Sequence, residues 1–274
     1  MKCINMKFMP NIGFEVPCNK CYPCRMNRIQ DWCTRIHFES MYSYYPPLFL
    51  TLTYNEKHLK KTRRNARFAT LCKRDLQCFF KRLRKLERKQ GNARDIRYLA
   101  CGEYGTKNHR PHYHILVFNV QRKNIIPAWT LFDQPIGEVN FGDCSSKSAA
   151  YTVGYTISEQ ANRTHVISCH LQPEFKAYSK GIGSGYLTTT AAIRHNERGA
   201  NGYYCVLDGQ RKRMPRYFAK RIYTASKWIE LKADLHIKAL EKEKKVLTLQ
   251  QQKNEHYESQ RKLTQKRKCS SSAV

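Results

Sequence analysis

The sequence predicts an α+β fold: a mainly antiparallel sheet with helices on one side, followed by a basic C-terminal helix. Three observations predict it. The strand-like runs IRYLACGEY (96–104) and HYHILVFNV (112–120) are separated only by the turn-like GTKNHRP, the pattern of an antiparallel hairpin. A third strand-like run, PPLFLTLTY (46–54), alternates Leu48, Leu50 and Leu52 with Phe49, Thr51 and Thr53, giving one aliphatic face and one mixed face. Helical periodicity lies between these runs without the regular strand–helix–strand rhythm of a parallel sheet.

The elements follow in order. Two prolines set off the first strand, and 57–67 is a solvated basic loop carrying Lys57, Lys60, Lys61, Arg63, Arg64 and Arg67 with no acid. Residues 71–89 place Leu76, Phe79, Phe80, Leu83 and Leu86 at helical spacing, and Gly91 stops that helix. A short strand is expected near Gly137 to Phe141. Residues 145–160 read as a helix capped by Ser145 or Ser146 and weakened by Gly154. From 173 to 217 the chain is rich in Gly, Pro and basic residues. Residues 227–268 read as a charged helix with Trp228, Leu231 and Leu235 on its apolar stripe, ending in a frayed KRKCSSSAV.

Composition narrows the function. The chain has 274 residues, 50 Lys and Arg against 21 Asp and Glu, and a net charge of +29. Its 41% hydrophobic and 12% aromatic content is that of a folded protein, not a basic tail. Solubility alone requires a net charge of only about 2 to 8, so the surplus points to a polyanion such as nucleic acid. No run approaches the roughly 20 apolar residues of a membrane span. The first residues lack a signal-peptide core, so the 12 cysteines are expected in a reducing cytosol, most of them as small buried hydrophobes.

Three groups of residues carry chemistry. In RPHYH (110–114), His112 and His114 share one strand face, roughly 6 to 7 Å apart, while Tyr113, Ile115 and Val117 face the other way. Two imidazoles at that spacing can share a divalent ion. Glu103 on the neighbouring strand would add an oxygen ligand, which suits Mg²⁺, Mn²⁺ or a transition metal. The plainer reading is two unrelated histidines at a strand start. Tyr151 and Tyr155 sit at i and i+4, so a helix would present both phenols side by side; two groove-lining tyrosines are the plainer reading. Cys18, Cys21 and Cys24 could hold zinc, with Cys33, His37 or Cys3 as the fourth ligand, or stand as three partly buried free thiols.

Together, FLTLTY (49–54), RPHYH (110–114) and YTVGY (151–155) resemble, in order, the three motifs of HUH endonucleases. More narrowly, CNKCYPCR (18–25), LACGEYG (99–105), GIGSGY (181–186) and MPRYFAKRIY (214–223) resemble the replication initiators of microviruses, nearest the gokushovirus group. The resemblance covers roughly residues 17 to 225. It implies a sheet-based nuclease with an RRM-like palm, a metal held by His112, His114 and Glu103, and Tyr151 and Tyr155 as the nucleophile pair. Family members often carry a lysine in or just after the tyrosine motif. Residues 152–158 contain none, and Lys147, one turn earlier, is the candidate substitute.

The expectation is therefore a rolling-circle initiator that nicks a single-stranded or replicative-form DNA origin in the host bacterial cytoplasm, working beside host helicase and polymerase. Its cofactor would be Mg²⁺ or Mn²⁺, with a structural Zn²⁺ as a further candidate. Lys81, Arg82, Arg84, Lys85, Arg88 and Lys89 on one helix, with Arg110, are the expected phosphate contacts. The expected layout is a Cys-rich segment (1–45), a nuclease domain (46–225) and a basic helical tail (226–274). The rivals are a plasmid initiator or transposase of the same chemistry, and a non-catalytic zinc-containing nucleic-acid-binding protein.

Overall fold

Alternation along three strands builds the centre of the molecule. In the computed structural model, which describes residues 3–10, 13–62, 67–105, 108–144, 146–157, 166, 168–188, 190–243 and 254–261, β1 (Lys7–Met9) and β2 (Phe14–Val16) form a short hairpin ahead of helix α1 (Tyr22–Met41). Strand β3 (Leu48–Leu52), helix α2 (Lys73–Lys89), strand β4 (Arg97–Tyr104) and strand β5 (Pro111–Phe118) follow. A short helix α3 (Ile125–Ala128) and the small hairpin β6 (Thr130–Leu131) and β7 (Gln134–Pro135) lead to β8 (Val139–Gly142). Helix α4 (Ser146–Ile157) and strand β9 (Phe175–Tyr178) complete the sheet region. The sheet has five strands in the order β8-β3-β5-β4-β9, and every pairing is antiparallel. The α+β class and the hairpin of 96–104 with 112–120 are as the sequence indicates.

One sheet face carries Leu50, Leu52, Ala100, Tyr113, Ile115 and Val117, all buried against Leu76, Phe79, Phe80 and Leu83 of α2. Burying each large apolar side chain is worth roughly 1.5–3 kcal/mol, so this face holds most of the core. The opposite face carries Leu99, Leu116 and Phe118, packed with Ile36 of α1 and with Ala149 and Val153 of α4. Helices thus cover both faces rather than one. The reason is that the second face is apolar at its Leu99–Leu116–Phe118 end and needs a cover there. Helix α1 meets that need with Ile29, Trp32, Cys33 and Ile36 along one stripe.

The remaining elements, α5 (Thr190–Arg198), β10 (Tyr204–Leu207), β11 (Gln210–Arg213), α6 (Arg216–Ile222) and α7 (Ala225–Glu243), enclose a separate cluster. It holds Tyr186, Cys205, Met214, Phe218 and Leu231 against Phe38 at the end of α1. Gly183 joins this unit to the sheet region. Its φ is +79°, and an added Cβ would lie 2.6 Å from the Arg35 carbonyl oxygen, so glycine is required. The expected helix over 227–268 is found as α7 and a helical stretch at 254–261, with 244–253 and 262–274 outside the described residues.

Gly154 does not break α4, which runs unbroken from Ser146 to Ile157. A Cβ there would meet nothing within 4 Å. Gly154→Ala is therefore expected to stabilise the helix by about 1 kcal/mol, visible as a rise in Tm in a thermal melt.

Candidate active site

The face of the sheet under α4 brings Glu103, His112 and His114 together. In the register of β4 with β5, Glu103 pairs with His112 and Cys101 with His114, so all three candidate side chains emerge on one side. His112 Nε2 and His114 Nε2 each lie 2.9 Å from the same oxygen, Glu103 Oε1. The ligand atoms of the three all lie within 4.8 Å of one another. Glu103 is 4% exposed, and its second oxygen, Oε2, is buried with no hydrogen-bond partner among the described residues. A buried carboxylate oxygen left without a donor is costly, and a cation is the natural partner for it.

The surroundings orient both imidazoles. The Arg110 carbonyl oxygen lies 3.1 Å from His112 Nδ1 and can only accept, so His112 keeps a proton there and turns Nε2 to the cluster. Thr51 Oγ1 lies 2.9 Å from His114 Nδ1, and Phe49 stacks on the His114 ring with centroids 5.7 Å apart. Outer partners of this kind fix the ligand nitrogen and its direction, so Thr51→Val is expected to weaken Mn²⁺ binding about 10- to 100-fold, read by calorimetric titration.

Charge in the cluster is mutual. Burial pushes the Glu103 carboxyl up, but bonds from His112 and His114 outweigh it and hold the carboxyl below the usual carboxylate value. Burial also works against a charged His112, yet the Glu103 carboxylate overcomes it and raises His112 above 6.5. A metal must displace that imidazolium proton. Metal affinity is therefore expected to be full above the raised His112 value and to fall as pH drops through it, beginning above 6.5. Titrations with Mn²⁺ across pH 5.5 to 8.5 check this; affinity that stays flat would contradict it.

Tyr151 projects from α4 onto the cluster. Its ring meets His114 edge to face with centroids 5.2 Å apart, and the residue is 42% exposed, open to a substrate from solvent. Tyr155 and Lys147 lie on the same helix, but their side chains fall outside the described residues.

The basic residues divide by location. Because α2 covers the opposite face, Lys81, Arg82, Arg84, Lys85, Arg88 and Lys89 lie on the far side of the sheet from the histidines. Two of them have local partners: Arg82 Nε donates to the Ala128 carbonyl at 2.7 Å, and Arg84 lies over the Phe80 ring at 5.9 Å. Arg110 sits at the histidine end of the sheet. It pairs with Glu56 at 2.6 Å and donates to the Tyr54 carbonyl at 2.7 Å, tying the starts of the two inner strands together.

The cysteine group also assembles, and Cys3 is the fourth member. The sulfurs of Cys3, Cys18, Cys21 and Cys24 all lie within 4.8 Å of one another. Cys33 and His37 are elsewhere: Cys33 lines the apolar contact of α1 with the sheet, where burial pushes its thiol to about 11, and His37 packs edge-on against Phe38.

Glu174 is a site residue without a pattern in the sequence. It accepts from the Tyr104 backbone N–H at 3.3 Å and lies close enough to be affected by Glu103 and His112. Burial first, and then the Glu103 charge, raise its carboxyl above the usual value.

Comparison with known proteins agrees with this arrangement. The family model for the ORF2-type replication-associated protein matches residues 47–160, which span β3, the histidine strand and α4. The chain is 29% identical over 252 residues to the replication-associated protein VP4 of Bdellovibrio phage phiMH2K, covering 84% of this chain and 75% of that one. It is 32% identical over 232 residues to the replication-associated protein ORF2 of Spiroplasma virus 4, covering 77% and 68%. Over 113 residues it is 32% identical to the replication-associated protein ORF4 of Chlamydia phage 1, covering 41% and 26%. No solved structure matches the chain. The order of the motifs and the length shared with the Spiroplasma virus protein place this chain in one family: it belongs to the phage replication-associated proteins, as a replication initiator of the microvirus type.

Proposed function

We propose that the protein is the origin-nicking endonuclease and strand transferase of a single-stranded DNA phage, acting in the cytoplasm of its bacterial host. The observation that carries this reading is the edge-to-face contact of Tyr151 with His114, which sets a phenol directly over the Glu103–His112–His114 group. A phenol with a reference pKa near 10 is a weak nucleophile at neutral pH and needs an electrophile prepared for it. Mg²⁺ or Mn²⁺ held by the two Nε2 atoms and Glu103 would polarise the scissile phosphate and stabilise charge on the leaving 3′ oxygen. Tyr151 Oη attacks phosphorus as the bond to the 3′ oxygen breaks. The phenol proton passes to solvent, the 3′ oxygen takes one up, and a 5′-phosphotyrosine ester remains. That ester conserves the bond for rejoining, and Tyr155 supplies a second phenol for the next attack. Lys147 offers a cation one turn before Tyr151.

The DNA partner is the phage origin, with host helicase and polymerase extending the freed 3′ end. Arg110 is the phosphate contact beside the cut. The α2 lysines and arginines serve DNA that passes behind the sheet rather than the strand being cut. Residues 46–225 form the nuclease unit in this reading, with the Cys-rich segment before it and the basic helical tail after it.

Incubation of the protein with a single-stranded origin oligonucleotide and Mn²⁺, followed by a denaturing gel, tests the proposal. A shifted band in which protein and DNA stay joined supports it. DNA and metal binding without cleavage would instead mark a non-catalytic nucleic-acid-binding protein.

A further inference from the structure

The four cysteines near the N-terminus lie outside the nuclease site, and none of the chemistry above uses them. Their geometry is specific. Cys3 Sγ is 3.5 Å from Cys18 Sγ and 3.7 Å from Cys21 Sγ, and Cys24 joins the same group. Zinc–sulfur bonds of about 2.3 Å in a tetrahedron place neighbouring sulfurs about 3.8 Å apart. The sulfurs are therefore near the edges of a zinc tetrahedron and far beyond the roughly 2.05 Å of a disulfide. We propose that Cys3, Cys18, Cys21 and Cys24 form a structural Zn²⁺ site that fastens the β1–β2 hairpin to the start of α1.

The surrounding backbone is built for thiolates. Asn19 takes a left-handed φ of +60°, and the turn it makes directs the Lys20 and Cys21 N–H groups at Cys18 Sγ, at 3.5 and 3.3 Å. The Cys18 N–H in turn donates to Cys3 Sγ at 3.3 Å. Such bonds spread the charge of four thiolates, just as outer partners do at other metal sites. Cys21 is the N-cap of α1 and Cys24 lies in its first turn, where the helix dipole favours negative charge. Lys20, Arg25 and Arg28 add positive charge nearby, and Arg28 also donates to the Asn19 carbonyl at 3.2 Å.

The donor set selects the ion and the role. Four thiolates in a tetrahedron suit Zn²⁺ or iron and not Mg²⁺ or Mn²⁺. Four protein ligands leave no position for water, so the site contributes to folding rather than to catalysis. Binding replaces each remaining S–H proton with a bond to the metal, and those protons go to the buffer. The consequence reaches the nuclease face through α1, whose Ile36 packs in one cluster with Ala149 and Val153 of the tyrosine helix.

Metal analysis of the full-length protein, purified under reducing conditions without chelator, tests the site. About one zinc per chain is expected, retained in Cys78→Ser and lost in Cys18→Ser and in Cys24→Ser. Replacement by Co²⁺ should give thiolate-to-cobalt charge-transfer bands and the intense visible absorption of tetrahedral cobalt. If a serine variant is insoluble, a mercurial titration of the wild-type protein gives the same answer, because zinc release should accompany modification of these cysteines, as mapped by mass spectrometry. Zinc-free protein, iron in place of zinc, a Cys3–Cys18 disulfide or unchanged zinc in both serine variants would each overturn the proposal. Zinc content is read without any DNA, so failure here leaves the nicking proposal intact, and the reverse holds equally.

Discussion

A His112→Ala/His114→Ala variant should lose origin nicking by at least about 10³-fold while keeping its affinity for DNA. The size follows from the metal's role, since a divalent cation at a phosphate is worth several kcal/mol and each 1.36 kcal/mol is tenfold in rate. Removing both imidazoles leaves Glu103 alone, and one carboxylate with the histidine ring positions vacated is a poor site for a divalent cation. Binding should survive, because a charge of +29 is spread over the whole chain and neither histidine is needed for it. The fold should survive too: His112 is only half-buried, and the Leu116 and Phe118 packing further along the strand is untouched. The measurement pairs a denaturing nicking gel with filter binding at one salt concentration. Full nicking in the double variant would remove the metal from the mechanism. Equal loss of nicking and binding would point to unfolding, which a circular dichroism spectrum would reveal.

The strand of that variant was legible in the sequence for a simple reason. A period of two fixes which residues share a face, and RPHYH states that His112 and His114 do. A short turn makes its neighbour antiparallel, so Glu103 had to come near them; the exact pairing of Glu103 with His112 depends on register, which the turn does not announce. Sidedness was not legible. Leu50 and Ile115 on one face and Leu99 and Phe118 on the other are equally apolar, and nothing local says which face α2 will cover. Its basic stripe therefore reads clearly as a stripe and not as a location. Helix α1 was hidden because Trp32 and Cys33 in its apolar stripe carry other meanings, and because the preceding cysteine motif overlaps its first turn. Cys3 and Glu174 reach their sites through chain geometry alone. The first is brought back by a hairpin of short strands, and the second enters at the sheet edge from a Pro- and Gly-rich segment without a periodic pattern.

Substituting the tyrosines should separate two roles. Phenylalanine keeps the ring and its edge contact on His114, so any loss in Tyr151→Phe reports the hydroxyl rather than the packing. Helix α4 runs unbroken through Gly154, which keeps positions 151 and 155 on neighbouring turns of one helix. Tyr151 stands over His114, so Tyr151→Phe should cut adduct formation on a short oligonucleotide the more strongly, on the order of 10²-fold or beyond, as expected when a covalent nucleophile is lost and a weaker substitute remains. Tyr155→Phe should still form the adduct. In a full replication assay, however, its yield of closed circles should drop sharply, because releasing a circle while staying attached to the new end requires a second phenol. The double variant should form no adduct at all. Mapping the DNA-linked peptide decides the order of attack: linkage at Tyr151 in the wild type, with Tyr155 taking over only in Tyr151→Phe, is the expected result. A linkage to a tyrosine outside α4 would refute the nucleophile assignment and leave the Glu103–His112–His114 group in need of another partner.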